Sequence, residues 1–320
     1  MRLEDQVFLI AQKDLRQTTT GGLYIHAVLV DRTGQLLARM WQASQEIFDT
    51  IPDGGFLRFK GRTESYKGNL QFIIEAMSPV EMSEVNLASF LPICHRDIDD
   101  MWSQLMGQLS RIREPAVKAL VDAFLADEVL MVKFRKSPAA VQLHHAYIGG
   151  LLEHTLSLVE MAALVIPRYP KVSLDLVLAG LFLHDLGKAV ELGCDTKFEY
   201  TDQGQLLGHI VICTMLIEEK ARVAGDAMGQ PFPDQVKWAI QHIVTAHHGR
   251  YEFGSPKLPA TPEAIAVHHL DNLDAKLHQF IGAIESDKDA ESHWTQYNRT
   301  LETKVFKVDP MGIRGEKGGP

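Results

Sequence analysis

Apolar and polar positions follow a period of two over the first quarter of the chain, then change to a helical period that persists almost to the end. VFLIAQ (7–12), LYIHAVLVD (23–31), QLLARMW (35–41), FLRFKGRTES (56–65) and LQFIIEAM (70–77) read as five short strands. Thr18-Thr19-Thr20-Gly21-Gly22, Asp31-Arg32-Thr33-Gly34, Pro52-Asp53-Gly54-Gly55 and Tyr66-Lys67-Gly68-Asn69 separate them with residues suited to turn dihedrals. One helix is predicted over 42–50, between the third and fourth strands. From about residue 97, Ile98, Met101, Trp102, Leu105, Met106 and Leu109 recur at helical spacing. Pro115 suits the first turn of the next helix. Further helices are predicted over 127–135, 139–149, 150–166, 173–185, 202–223, 234–248 and 262–284, the last opening on the cap Thr261-Pro262-Glu263.

Five strands with a helix after the third predict a small barrel of the OB type. The expected fold class is α+β and multidomain. A small N-terminal β-barrel, an OB-fold, occupies 1–80, a polar linker 81–100, an all-α domain 101–300 and a flexible tail 301–320. The length suits two domains, and 46% hydrophobic with 23% charged residues is ordinary for a soluble protein. No stretch approaches the roughly 20 apolar residues that span a bilayer, so no membrane partner is expected. MRLEDQVFLIAQ places acids where a signal peptide needs basic residues, which predicts no export. Cys94, Cys194 and Cys213 are too few and scattered for a disulfide framework, so a reducing cytoplasm is expected. The net charge of −9 argues against bulk electrostatic capture of nucleic acid, although residues 1–80 are neutral, with 9 Lys and Arg against 9 Asp and Glu.

Histidine changes the picture, because 12 of the 14 lie at or beyond His144. His154 is flanked at helical spacing by Leu151 and Leu158, His184 by Val177, Gly180 and Leu181, His209 by Leu206, Ile212 and Cys213, and His247 by Ile240, Ile243 and Val244. Asp271 lies four residues after Val267. Each polar group therefore sits on the apolar face of its own helix. One such histidine satisfies itself on a backbone carbonyl. Five helices doing this would each bear a cost of roughly a few kcal/mol unless the groups share a partner. A metal ion is such a partner, and imidazole with carboxylate but no thiolate suits Mn²⁺, Fe²⁺, Co²⁺, Ni²⁺ or Zn²⁺.

His154, then His184-Asp185, then Asp271 resembles the H…HD…D signature of the HD-domain phosphohydrolases. His209 and His247-His248 are similar to the extra ligands of the two-metal branch of that superfamily. The order PAAVQLHHAYIGGLLEHTLSL (138–158), FLHDLGK (182–188), GQLLGHI (204–210), AHHG (246–249) and HHLDNLDAK (268–276), behind an OB-like region, resembles the YhaM-type 3′→5′ exoribonucleases over nearly the whole chain.

The resemblance implies that 101–300 is an HD metal-dependent phosphohydrolase domain holding two divalent ions, Mn²⁺ or Fe²⁺ ahead of Co²⁺, Ni²⁺, Zn²⁺ or Mg²⁺. His154, His184, Asp185 and Asp271 would hold the first. Asp185 would bridge to the second, held by His209, His247 and His248. Which of His247 and His248 ligates stays open, since neighbours on a helix point about 100° apart. His144 and His145 are placed near the phosphate, and His145 joins Asp185 and Lys188 as a catalytic candidate. Lys188 could set its charge on a non-bridging phosphate oxygen, or merely answer a helix dipole. Arg135, beside Lys136, is a candidate for a backbone phosphate.

An OB-fold holds single strands by stacking bases on aromatics and tracking phosphates with cations. Tyr24, Trp41, Phe59, Tyr66 and Phe72 supply candidate rings, and Lys13, Arg16, Arg39, Arg58, Lys60, Arg62 and Lys67 candidate cations. Strand alternation turns about two of the five rings outward. Tyr24, Trp41, Tyr66 and Lys67 lead as substrate contacts.

The implied activity is hydrolysis of single-stranded RNA, with DNA as a second candidate, from the 3′ end to nucleoside 5′-monophosphates by a metal-activated water. Homo-oligomerisation is left open. A phosphohydrolase of small nucleotides or cyclic dinucleotides is the alternative. The strand-holding barrel argues against it, as does Gly249-Arg250-Tyr251 in place of a GYP tripeptide. A non-catalytic nucleic-acid-binding protein with a relic core is the third reading, and the complete ligand set argues against that.

Overall fold

The computed structural model describes all residues except 1, 53, 67, 142–145, 194–197 and 314–320 and the side chains of 82 and 88. The chain forms two compact units, Met1–His95 with Leu192–Tyr200, and Arg96–Glu191 with Thr201–Pro320.

In the first unit β1 (Arg2–Gln17), β2 (Leu23–Asp31), β3 (Gly34–Trp41), β4 (Phe56–Tyr66) and β5 (Asn69–Pro79) close a barrel in the order β1-β2-β3-β5-β4. All neighbours are antiparallel except β3 and β5. Helix α1 (Gln45–Thr50) lies between β3 and β4, which completes an OB-fold. Alternation does the sorting: Ile25, Ala27 and Leu29 of β2 point inward, with Phe8, Phe59 and Phe72 filling the rest of the barrel. Ser44 caps α1 by accepting from the Ile47 N–H, and Ile47, Phe48 and Ile51 pack onto the barrel core. Lys13 reaches the Phe48 and Ile51 carbonyls at the other end of that helix.

The second unit contains α2 (Ile98–Leu109), α3 (Pro115–Leu125), α4 (Glu128–Lys136), α5 (Gly150–Val165), α6 (Leu174–Leu183), α7 (Lys188–Glu191), α8 (Asp202–Met228), α9 (Asp234–Ala246) and α10 (Pro262–Glu285). A short strand pair, β6 (Leu192–Gly193) and β7 (Glu199–Tyr200), follows α7 in sequence. Helix α6 is the centre. Every residue from Val177 to Leu183 is buried, as expected of a helix apolar all round, and α5, α9 and α10 pack against it. Asp97, Glu114, Asp127, Ser173, Thr201 and Thr261 cap their helices, each accepting the N–H three residues on.

Three expectations are corrected here. The predicted helix 139–149 is absent among its described residues. Ser137 takes the extended conformation favoured before Pro138 and ends α4. The Gly149 N–H donates to the Lys136 carbonyl and the Leu151 N–H to the Ser137 carbonyl, which brings the start of α5 back to the end of α4. Residues 301–307, expected in the tail, pair back on the chain through the bridges Trp294↔Phe306 and Asn298↔Thr303. Val305 is buried and Lys307 holds Asp287 at 2.9 Å. Lastly, Gly150–Arg168 is one segment long and apolar enough to cross a bilayer by length and composition. Its helix packs against α2, α4, α6 and α10 instead.

Candidate metal centre and nucleic-acid interface

Helix α6 runs through the apolar core and stops at Leu183, so that His184 and Asp185 emerge inside the unit, 0% and 4% exposed. The turn after them explains the rest of the HDLGK motif. A Cβ on Gly187 would lie 2.1 Å from the His209 carbonyl oxygen, so only glycine lets α8 approach this closely. Helix α8 itself breaks at Gly208, whose φ of 71° is left-handed. The break restarts the helix at His209, whose N–H donates to Glu191 Oε1 at 3.0 Å. It also overturns one expectation. Leu206 does not share a buried face with His209 but is 82% exposed.

Five imidazoles are each held from behind through Nδ1. The acceptors are Asp274 Oδ2 for His154 (2.9 Å), the Leu181 carbonyl for His184 (2.8 Å), Glu191 Oε1 for His209 (3.3 Å), the Val244 carbonyl for His247 (2.6 Å) and the Phe253 carbonyl for His248 (2.8 Å). An Nδ1 facing an acceptor carries the proton, which leaves the Nε2 lone pair for another partner.

Asp185 lies between two groups of these rings. Its Oδ2 is 3.4 Å from His184 Nε2 and 3.8 Å from His154 Nε2. Its Oδ1 is 3.5 Å from His209 Nε2 and 3.7 Å from His247 Nε2. Asp271 Oδ1 joins the first group, 3.3 Å from His154 Nε2 and 4.0 Å from His184 Nε2. Ligand atoms of His154, His184 and Asp185 lie within 4.8 Å of one another, and so do those of His209, His247 and His248. Both members of the His247-His248 pair therefore enter one cluster, because α9 ends at Ala246 and the turn brings the second ring round.

Among the described residues four buried side-chain nitrogen or oxygen atoms lack a hydrogen-bond partner, and three are here: His184 Nε2, Asp185 Oδ1 and His209 Nε2. Leaving them so costs roughly 1–3 kcal/mol each. Divalent metal bound at the two clusters would satisfy all three, and the donor set of imidazole and carboxylate suits it. The titration behaviour agrees. Burial pushes the His247 and His248 imidazoles down, keeping them neutral. Burial works to raise the Asp185 carboxyl, yet Lys188, His184 and His209 hold it well below its usual range. Burial also opposes charge on His154, but Asp271 and Asp274 outweigh it and raise the ring to about 9, so a proton and a cation compete for this site.

Two carboxylates of the site were not among the candidates that the sequence suggests. Asp274 backs His154 and also accepts from Ser157 Oγ at 2.7 Å. Its place three residues after Asp271 on one helix is a readable signal. Glu191, at the end of the short α7, carries no such signal. Lys188 Nζ lies on Asp185 Oδ2 at 2.7 Å. Arg135 is paired with Asp99 and stands over the Trp102 ring, apart from the histidine clusters in its contacts. His144, His145 and Lys67 lie outside the described residues.

On the barrel, Tyr24 and Trp41 are cross-strand partners with ring centroids 5.1 Å apart. The Arg39 guanidinium stands 5.9 Å from the Tyr24 ring, 5.7 Å from Trp41 and 5.4 Å from Tyr66. Trp41 and Tyr66 are 43% and 48% exposed, while Phe59 and Phe72 are buried in the core. Three of the five candidate rings thus stay out of the barrel core rather than about two, and Arg39 links them.

An OB barrel joined to a helical core that gathers a histidine, a His-Asp pair and a distal aspartate defines an HD-domain protein with a nucleic-acid-binding type of barrel. The HD domain family matches residues 151–276. Over 301 residues the chain is 32% identical to the 3′-5′ exoribonuclease YhaM of Geobacillus sp. (strain WCH70), covering 93% of this chain and 90% of that protein. It is 30% identical over 303 residues to the 3′-5′ exoribonuclease YhaM of Bacillus subtilis (strain 168), covering 94% and 93%. The chain belongs to the YhaM exoribonuclease family. Among solved structures it is similar to the second OB-fold domain of replication protein A from Methanococcus maripaludis, at 15% identity and a TM-score of 0.20 over 23% of this chain and 80% of that one. A score that low carries no argument.

Proposed function

We propose that this chain is a metal-dependent 3′→5′ exonuclease that hydrolyses single-stranded RNA, with single-stranded DNA as a second substrate, to nucleoside 5′-monophosphates in the cytoplasm. The observation that carries the reading is Asp185, with one carboxylate oxygen toward each histidine cluster. Its relatives are named for the same activity.

In this reading His154, His184, Asp185 and Asp271 hold one divalent ion, and His209, His247, His248 and Asp185 a second, Mn²⁺ or Fe²⁺ by ligand chemistry. Bound there, the ions supply an activated water and charge stabilisation for in-line displacement at phosphorus. The protein's own groups do the positioning. Carbonyls and carboxylates behind the rings fix which nitrogen faces the centre. Lys188, held on Asp185, keeps a positive charge at the site where a non-bridging phosphate oxygen would lie. Tyr24, Trp41 and Tyr66 stack bases, and Arg39 adds charge among them. A chain of net charge −9 captures its strand by such stacking more than by a bulk field.

Purified protein is incubated with 5′-labelled RNA, with and without Mn²⁺. A metal-dependent ladder shortening from the 3′ end is expected. Intact RNA beside a hydrolysed cyclic dinucleotide would sink this reading and favour the small-nucleotide phosphodiesterase.

A further inference from the structure

Three of the five imidazoles are backed by main-chain carbonyls: His184, His247 and His248. Only His154 and His209 are backed by carboxylates, and they belong to different clusters. Both carboxylates are themselves fixed. Asp274 is 4% exposed and accepts from Ser157 Oγ through Oδ1 while Oδ2 faces the ring. Glu191 is 7% exposed and meets both the His209 main-chain N–H and the ring Nδ1 through Oε1, with Oε2 3.1 Å from the same Nδ1. A main-chain carbonyl orients a ring but carries no net charge. A carboxylate also makes the ring a stronger donor through its far nitrogen, and losing one typically costs about 10–100-fold in metal affinity.

We propose that Asp274 and Glu191 are positioning residues that set the affinities of the two half-sites separately, Asp274 through His154 and Glu191 through His209. The inference rests on the metal-centre reading above and on no step of RNA hydrolysis. Each carboxylate offers a sensitive isosteric test. In Asp274→Asn the amide oxygen keeps the Ser157 hydroxyl, which turns the NH₂ toward His154 Nδ1. The imidazole then takes its proton on Nε2 and loses the lone pair that faces the centre. In Glu191→Gln the oxygen keeps the His209 main-chain N–H, the NH₂ falls where Oε2 stood, 3.1 Å from His209 Nδ1, and the negative charge behind that ring is lost. A purely space-filling role would leave both variants unchanged.

The test is Mn²⁺ titration of the metal-free full chain, reading bound ion by equilibrium dialysis and ion–ion coupling by electron paramagnetic resonance. Each variant is expected to lose about 10–100-fold at one half-site while the other keeps its affinity. The half-sites are told apart by combination. Asp274→Asn should weaken the site left by His247→Ala but not the one left by His184→Ala, and Glu191→Gln should do the reverse. Should Asp274→Asn fail to fold by circular dichroism, Ser157→Ala frees one carboxylate oxygen and should give a smaller shift at the same half-site. Wild-type titration by the folded variants, or equal weakening of both half-sites by either one, overturns the proposal. A chain that binds Mn²⁺ as described yet leaves RNA intact would sink the exonuclease reading and leave this one standing.

Discussion

The helical unit hides its chemistry and the barrel displays it. In the helical unit, apolar stripes of α5, α6, α9 and α10 surround carboxylates and imidazoles that would gain by being hydrated, and three of those atoms have no hydrogen-bond partner. That arrangement costs folding energy unless a cation compensates it. In the barrel the core is completed by Phe8, Phe59 and Phe72, and the candidate stacking rings lie outside it. Trp41 and Tyr66 are not needed to fill the barrel. Substitutions in the metal centre should therefore change stability, metal content and activity together. Substitutions on the barrel face should change strand binding alone.

The sharpest break of that comparison is Asp185→Ala. It removes a carboxylate that faces both histidine clusters, and hydrolysis of 5′-labelled RNA is expected to fall by about 10³-fold or more. Binding of the same RNA by fluorescence anisotropy should persist, since the stacking rings are untouched. Hydrolysis at the wild-type rate by this variant would remove the metal assignment altogether.

Next in size is Gly187→Ala. The added Cβ would meet the His209 carbonyl oxygen at 2.1 Å, a backbone atom that cannot rotate away as a side-chain end could. Overpacking of this kind costs about 1–3 kcal/mol, read as a shift of the urea midpoint. Because the strain falls on His209, Mn²⁺ affinity should drop as well. Loss of stability without loss of metal affinity would show that the turn only supports the fold.

The same contrast governs how far the sequence alone reveals each region. Polar residues on apolar helix faces stand out against their neighbours in the chain, so His154, His184, His247 and Asp271 are legible from the spacing of residues, and Asp185 from the His-Asp pair that resembles the HD signature. The barrel's strands are legible by alternation, and so is the helix between β3 and β4. Its binding face is not. Phe59 and Tyr66 lie on one strand at odd spacing, and which parity faces outward depends on register and bulges set by partner strands. Glu191 is invisible for another reason. Its role comes from a helix break at Gly208, which brings a backbone N–H and a ring nitrogen to one carboxylate across 17 intervening residues. The described residues of the expected helix 139–149 are not helical, because periodicity does not register that Pro138 holds Ser137 extended and ends α4.

On the barrel, Trp41→Ala should weaken binding of single-stranded RNA by roughly 1–3 kcal/mol, or about 5- to 150-fold in Kd. The urea midpoint should barely move, as Trp41 is 43% exposed and outside the core. Hydrolysis of a dinucleotide, which offers few bases to stack, should change less than that of a long strand. A stability loss comparable to that of Gly187→Ala would mean the ring is structural and would erase the distinction between the two units.

The smallest effect tests whether the distinction extends to ion pairs. On the barrel, Arg62 meets Glu75 at 2.8 Å with its side chain 55% exposed, and Arg62→Gln should cost under about 0.5 kcal/mol, less in high salt. In the helical unit Lys220, 10% exposed, meets Asp127 at 2.7 Å, and Asp127 also caps α4 through the Leu130 N–H. The Lys220 hydrogen bond, with that N–H, holds the Asp127 carboxyl below its ordinary 3.8. Its contribution is therefore complete above the unfolded value and lost as pH falls through the lower folded one. For Lys220 burial opposes the charge, but Asp127 outweighs it and raises the ammonium above 10.5. That contribution is complete below 10.5 and lost as pH rises past it. Asp127→Asn should thus cost about 1 kcal/mol, constant from roughly pH 5 to pH 10 and shrinking on either side. Urea unfolding across pH reads this directly. A deficit that stays flat down to pH 2 would show that the carboxylate charge contributes nothing and would place this pair with the inert ones on the barrel.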